Sequence, residues 1–271
     1  MTAAAEGLHA WTAEGWRVID WCDPHEGPLV VADSWRVRDG RVRGIERHRE
    51  RFLRSVAAVD GAPRDAEAAV DAALAAIPRA GDWFPRLELR GRADGLALGF
   101  RLRPTPPTSA TAVLATAATD PRTEPLVKGP DLAALQRLRV AVQPLGADEA
   151  VIVDAQGHVV EGAYSALLWW RGATLVQPDA ALARIPSVTA SLVLDAARAE
   201  GVTIGAEQIT PAELAGCEVW VLSALHGVRG ATAWVGGPEL APPVRLDRAR
   251  RWLAAAESAL YPVRGTPLLG G

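Results

Sequence analysis

The pattern of apolar and polar positions changes period several times along the chain, and each change marks a predicted element. Residues 16–20 (WRVID) and 28–40 (PLVVADSWRVRDG) carry the β-branched and aromatic runs of strands, the second turning at Asp39-Gly40. From Gly44 the run GIERHRERFLRSVAAV takes up a helical period, with Phe52, Leu53, Val56 and Val59 as its apolar stripe. A second helix is predicted over 65–77 (DAEAAVDAALAAI), stopped by Pro78, and two further strands over FPRLELRGR and GLALGFRLRP. A proline- and threonine-rich stretch closes this first half, and 117–125 (AATDPRTEP) reads as a linker.

The second half repeats the mixture. A helix is predicted over 131–146, a hairpin over 148–162 around Asp154–Gly157, and another over SALLWWRGATLVQP turning at Arg171-Gly172. Residues 187–201 form a helix with Ser187 or Thr189 at its start and Gly201 past its end. A strand TIGAEQIT, a short helix PAELAG, a buried strand CEVWVLSAL and a closing helix LDRARRWLAAAESAL complete the reading. The expected architecture is mixed α/β in two domains, 1–116 and 126–271, joined by the 117–125 linker.

Composition narrows the function classes. A formal net charge of -3 gives no electrostatic footprint for nucleic acid or an anionic membrane, and no apolar run approaches the ~18 residues a membrane span needs. The amino terminus has neither a basic start nor an apolar core, so no secretion signal is read. Cys22 and Cys217 stand far apart without metal-ligand spacing, which points to a reduced cytoplasmic protein with no structural metal. One detail is more pointed. Of 29 basic residues, 28 are arginine and one is lysine, Lys128. Guanidinium stays charged, whereas a desolvated ammonium can give up its proton, so a sole surviving lysine is a candidate for amine chemistry. It follows the linker, where a cleft between two halves is a common place for a site.

Glu161 shares strand parity with Val159; if Val159 faces inward, so does the carboxylate, and it then needs a cationic or hydrogen-donating partner. The helix start at Ser187-Val188-Thr189 offers N–H groups and a positive dipole end, a generic phosphate site, though an ordinary cap is the commoner reading because most helices have one and few bind phosphate. Arg51 could reach a phosphate, as could many arginines.

In chain order these residues resemble the fold-type IV pyridoxal-phosphate enzymes: class IV aminotransferases, D-amino-acid transaminases and aminodeoxychorismate lyases. Lys128 precedes a helix, then follow Asp148-Glu149-Ala150, Asp154–Gly157, Glu161 and Ser165-Ala166-Leu167-Leu168, similar to the family's central signature. DSWRVRDGRV resembles its "Glu-Thr-x-Arg-Val-x-Asp-Gly" strand, His48–Arg51 its "His-x-x-Arg" helix, IPSVTA its phosphate-binding helix start, and SALHGVRGA a strand end. The resemblance implies a small N-terminal α/β domain, a larger domain with a barrel-like core, and a homodimer. It implies pyridoxal 5'-phosphate as cofactor, Lys128 as its Schiff-base lysine, and Glu161 on the pyridine nitrogen. Arg51, the backbone at Val188 and Thr189, and Ser223-Ala224 would hold the phosphate, while Ser34 and His226 would face a small amino substrate. Four positions depart from the pattern: Ala166, Ser187, Ala190 and Ala224. Each lost charged hydrogen bond costs ~1.5–3 kcal/mol, so weaker cofactor retention is expected.

The resemblance is nearest to 4-amino-4-deoxychorismate lyase, which releases pyruvate and 4-aminobenzoate. A class IV aminotransferase for branched-chain or D-amino acids is the alternative, and a catalytically lapsed binding protein a third reading. Trp35 and the Trp169-Trp170 pair are expected to line the cleft or a dimer contact.

Overall fold

The computed structural model describes residues 6–19, 27–93 and 95–260. Cys22 lies outside them. Two compact units result, one holding the described residues up to Pro106 together with those from Glu257 on, the other Pro107–Ala256.

The first unit is built on an antiparallel sheet ordered β2-β1-β8-β7-β3, where β1 is Gly7–Thr12, β2 Gly15–Ile19, β3 Leu29–Ser34, β7 Arg86–Arg92 and β8 Gly95–Leu102. The run 28–40, expected as one strand, is two. It breaks at the buried Trp35, and β4 (Val37–Arg38) then pairs with β5 (Arg41–Arg43) through Asp39 and Gly40. Both turn residues have positive φ, 47° and 69°, which Asp and Gly tolerate best. Helices α1 (Ile45–Ala57) and α2 (Ala66–Ala76) follow, then β6 (Asp82–Trp83), which pairs with β4. On α1 the buried face carries Phe52 and Val56 but also His48 and Arg51. Polar groups enter that face because Asp33 on β3 meets them.

The second unit is a curled, mixed eight-stranded sheet. Its strands are β9 (Thr111–Thr116), β10 (Glu149–Val153), β11 (Val159–Gly162), β12 (Ala166–Arg171), β13 (Thr174–Pro178), β14 (Ile204–Glu207), β15 (Glu218–Ser223) and β16 (Gly227–Val235). They run in the order β11-β10-β9-β16-β15-β12-β13-β14. Neither β9 nor β16 is marked by the periodicity, yet both are central, and β9 runs parallel to β10 and to β16. β9 is short and alanine-rich, and β16 is diluted by glycine and shifts register near Ala231, so neither shows a clean alternation. The change of unit accordingly falls before β9, at Pro106-Pro107, and not at the stretch expected as a linker.

Residues on β12 feed two cores by alternation. Leu167 and Trp169 join Val151, Val219, Val221 and Trp234 on one face. Leu168 and Trp170 join Trp220 and Leu222 beneath α4 (Val188–Ala199) and α5 (Leu246–Ala255) on the other. The tryptophan pair expected at a cleft or dimer contact is therefore core on both sides. Helix α3 (Leu132–Val142) covers a third cluster through Leu135 and Val142. The closing helix, expected to continue to Leu260, ends at Ala255, and β17 (Glu257–Ala259) returns to pair with β5 in the first unit. Among the described residues no helix is long and apolar enough to cross a membrane.

Candidate active site around Glu161

The site begins with a hairpin. The Asp154 carboxylate accepts the N–H groups of Gln156 and His158, and Gly157 turns with φ 86°. This sets β11 against β10 with Glu161 opposite Ile152. Val159 and Glu161 are both buried, as their shared parity requires. The chain then reverses at once: a Cβ on Gly162 would lie 2.2 Å from Ser165 Oγ and 3.1 Å from Glu149 Cγ, so any larger residue must displace those side chains.

Glu161 is surrounded by donors. Arg122 Nη1 donates to its Oε1 at 2.7 Å, and the Ile185 N–H donates to the carboxylate as well. Burial pushes the carboxyl up to about 7, against the pull of the Arg122 and Lys128 charges. Lys128 therefore lies within electrostatic reach of Glu161.

Both cations come from the segment after β9, and that segment is pinned at two points. Arg122 Nε and Nη2 grip the two oxygens of Asp120, each at 2.8 Å, while Nη1 also donates to the Ala183 carbonyl at 2.9 Å. Asp131 accepts the N–H and hydroxyl of Thr123 on one oxygen and the N–H of Glu124 on the other. Lys128, half-buried, sits inside the loop so closed, just ahead of Gly129 and α3.

From Ile185 the chain runs through Pro186 into α4. Ser187 is its N-cap, and its hydroxyl accepts the Ala190 N–H at 3.2 Å. Val188 and Thr189 occupy the buried first turn, whose N–H groups have no intrahelical partners. Ala190, where the family pattern has arginine, packs into the cluster beneath α4. Ser223 ends β15 one residue past the Leu222–Ala166 pair, and its hydroxyl accepts the N–H of His226. Ala224 follows in the turn, and His226 Nδ1 accepts the Ser109 N–H at 3.1 Å.

Arg51 and Ser34 belong to the first unit. Arg51 donates from Nε and Nη2 to the two oxygens of Asp33, at 2.7 and 2.8 Å, and His48 Nδ1 lies 2.7 Å from the same carboxylate. Burial would push Asp33 up, but the charges and hydrogen bonds of Arg51 and His48 outweigh it and hold the carboxyl far below the usual range. Ser34 is buried opposite Arg86 of β7. The second unit thus gathers Lys128, Glu161 and the approach to α4 around one carboxylate. Arg122 and Asp131 are additions that sequence reasoning missed; the need of a buried Glu161 for a cation was the one signal toward Arg122.

Residues 30–234 match the family described as amino-transferase class IV. No curated protein matches the chain. Among solved structures, the chain is similar to the T.th. branched-chain amino acid aminotransferase complexed with N-(5'-phosphopyridoxyl)-L-glutamate, with 16% identity and TM-score 0.78, covering 96% of this chain and 100% of that one. It is also similar to a hypothetical aminotransferase from Mycobacterium tuberculosis in its PLP-bound form, with 19% identity and TM-score 0.74 over 92% and 98%. A fold IV-transaminase, CpuTA1, from Curtobacterium pusillum gives 17% identity and TM-score 0.73 over 92% and 97%. At these identities the likeness is one of fold.

Proposed function

Since the chain belongs to the class IV aminotransferase family, we propose that it is a pyridoxal-phosphate enzyme acting on a small amino substrate, with Lys128 as the covalent anchor. One observation carries the reading: the only lysine in the sequence lies within electrostatic reach of a buried carboxyl, Glu161.

The donor set fits the cofactor. Lys128 supplies the primary amine. Glu161 has four acceptor sites on its carboxylate, and the donors from Arg122 and Ile185 leave capacity for a ring N–H. Val188 and Thr189 offer helix-start N–H groups to a phosphate, the Ser187 hydroxyl being taken up by Ala190. When bound, pyridoxal phosphate supplies an electron sink conjugated to the amine-bearing carbon of the substrate. The residues do the rest. Lys128 moves the proton at that carbon, and Glu161 holds a proton on the ring nitrogen. The start of α4 and the strand end at Ser223-Ala224 orient the phosphate. Arg51 is assigned to the phosphate on the resemblance of HRER alone, and Ser34 and His226 to the substrate on the same ground. A homodimer belongs to the proposal and is read from the mass in solution.

Amino-group transfer is the leading reaction, supported by the family and by the names of the similar structures. A second reading, cleavage of 4-amino-4-deoxychorismate to pyruvate and 4-aminobenzoate, is favoured by the wording of Asp148–Glu161, which resembles the lyases. The test is product formation by cofactor-loaded protein. Amino-acid donors turned over only when a keto acid is present support transfer, and pyruvate from aminodeoxychorismate without any acceptor supports the lyase. A protein that takes up the cofactor but turns over neither is a binding protein, which would refute both.

A further inference from the structure

Glu161 is not left alone to meet a ligand; the fold already holds a cation on it. Arg122 is nearly buried, its side chain 5% exposed, and its hydrogen bonds run to fixed partners: both Asp120 oxygens, the Ala183 carbonyl and Glu161 Oε1. A guanidinium so braced loses little freedom by holding the carboxylate, and its planar fork fixes direction as well as charge. It also joins the segment after β9, which carries Lys128, to the loop that leads into α4. We propose that Arg122 is a positioning residue that keeps Glu161 an oriented carboxylate, with Oε1 committed, so that the remaining acceptor sites face the ring nitrogen of the cofactor. This rests on the reading of Glu161 given above.

Other groups also face the carboxyl. Lys128 shares the segment after β9, Arg184 comes from the loop before α4, and the Ile185 N–H adds a neutral donor. Asp120 lies on the far side of Arg122 and offsets part of its charge. Arg122 combines a direct hydrogen bond with the largest of the charges that oppose burial, so its removal leaves burial less opposed and pushes the carboxyl further up.

The test begins with apo-protein carrying ¹³C-labelled glutamate carboxyls, the Glu161 resonance being assigned by its loss in Glu161→Gln. Wild type is expected to titrate near neutral pH. In Arg122→Gln the carboxyl should hold its proton at least tenfold more tightly, and in Arg122→Lys the change should be smaller, because charge remains without the fork. Loaded with pyridoxal phosphate, Arg122→Gln should lose at least tenfold in kcat at pH 7 with KM changed less than threefold, and the pH dependence of the bound-cofactor absorbance should move in the alkaline direction. An unmoved Glu161 titration in Arg122→Gln overturns the proposal and leaves the cofactor reading standing. A wild type that takes up no cofactor overturns that reading, whatever the titration shows. Asp120→Asn removes the anion that offsets part of the Arg122 charge while keeping the guanidinium, so the Glu161 carboxyl should hold its proton less tightly, the opposite shift; it guards against a failure of Arg122→Gln to fold.

Discussion

The two units each bury a carboxylate beside an arginine, and the outcomes are opposite. Asp33 in the first unit is held far below the ordinary range, whereas Glu161 in the second is pushed up to about 7. The ordinary difference between Asp and Glu, 3.8 against 4.5, is too small to separate them, and burial opposes the charged form in both. The difference lies in the donors. Both oxygens of Asp33 are gripped by Arg51, and His48 adds a third contact. Glu161 receives one arginine nitrogen, and that arginine divides itself with Asp120. A saturated carboxylate is a structural anion. An incompletely matched one is poised to take a further donor, which is what a site for a protonated ring nitrogen requires.

The sharpest break of this contrast is Asp33→Asn. It leaves Arg51 and His48 facing each other without a counter-charge, and removal of one partner of a buried pair costs ~3–5 kcal/mol. Chemical denaturation should show that loss. The acid limb should flatten too. A depressed carboxyl contributes stability above its unfolded value of 3.8 and loses it as pH falls, and the variant has no such term to lose.

Glu161→Gln should act with the reverse sign. Because the folded value lies above the unfolded 4.5, the contribution of Glu161 is fully present below 4.5 and is lost as pH rises through about 7. Wild-type apo-protein should therefore lose roughly 3 kcal/mol relative to the variant across that window, at ~1.36 kcal/mol per unit. Thermal unfolding of both proteins at several pH values measures the difference directly.

Gly162→Ala tests the turn that presents Glu161. Its Cβ would crowd Ser165 and the ion-paired Glu149, and overpacking of this kind costs ~1–3 kcal/mol. The loss should appear in the unfolding midpoint. The smallest effect on stability belongs to Lys128→Arg. The half-buried position keeps its charge toward Glu161, so unfolding should shift by less than about 0.5 kcal/mol, while the yellow colour of bound cofactor is lost because guanidinium cannot replace the amine.

Much of the second unit was legible. Lys128 stood out by being alone among arginines, and Glu161 by strand parity with Val159; the structure keeps both relations. The hairpin turn at Asp154–Gly157 and the cap at Ser187 were readable because turn and cap chemistry is local. Arg122 was not, since it sits in a segment that reads as a linker, and its partners Asp120, Ala183 and Glu161 come together only through the fold. β9 and β17 were missed for a related reason. Short strands acquire their identity from the neighbours they pair with, here β10 and β16 for the one and β5 for the other. In the first unit Asp33 was hidden in a strand where Ser34 drew the attention, although Asp33 shares parity with the buried Val31 and faces the helix bearing His48 and Arg51.

The most direct measurement is where the cofactor attaches. Protein loaded with pyridoxal phosphate, reduced with borohydride and digested, should yield a single pyridoxyl-bearing peptide, the one that contains residue 128, and the Lys128→Ala protein should yield none. A pyridoxyl adduct that persists in Lys128→Ala, or a wild type that carries none, would contradict the assignment of this lysine and the site built around it.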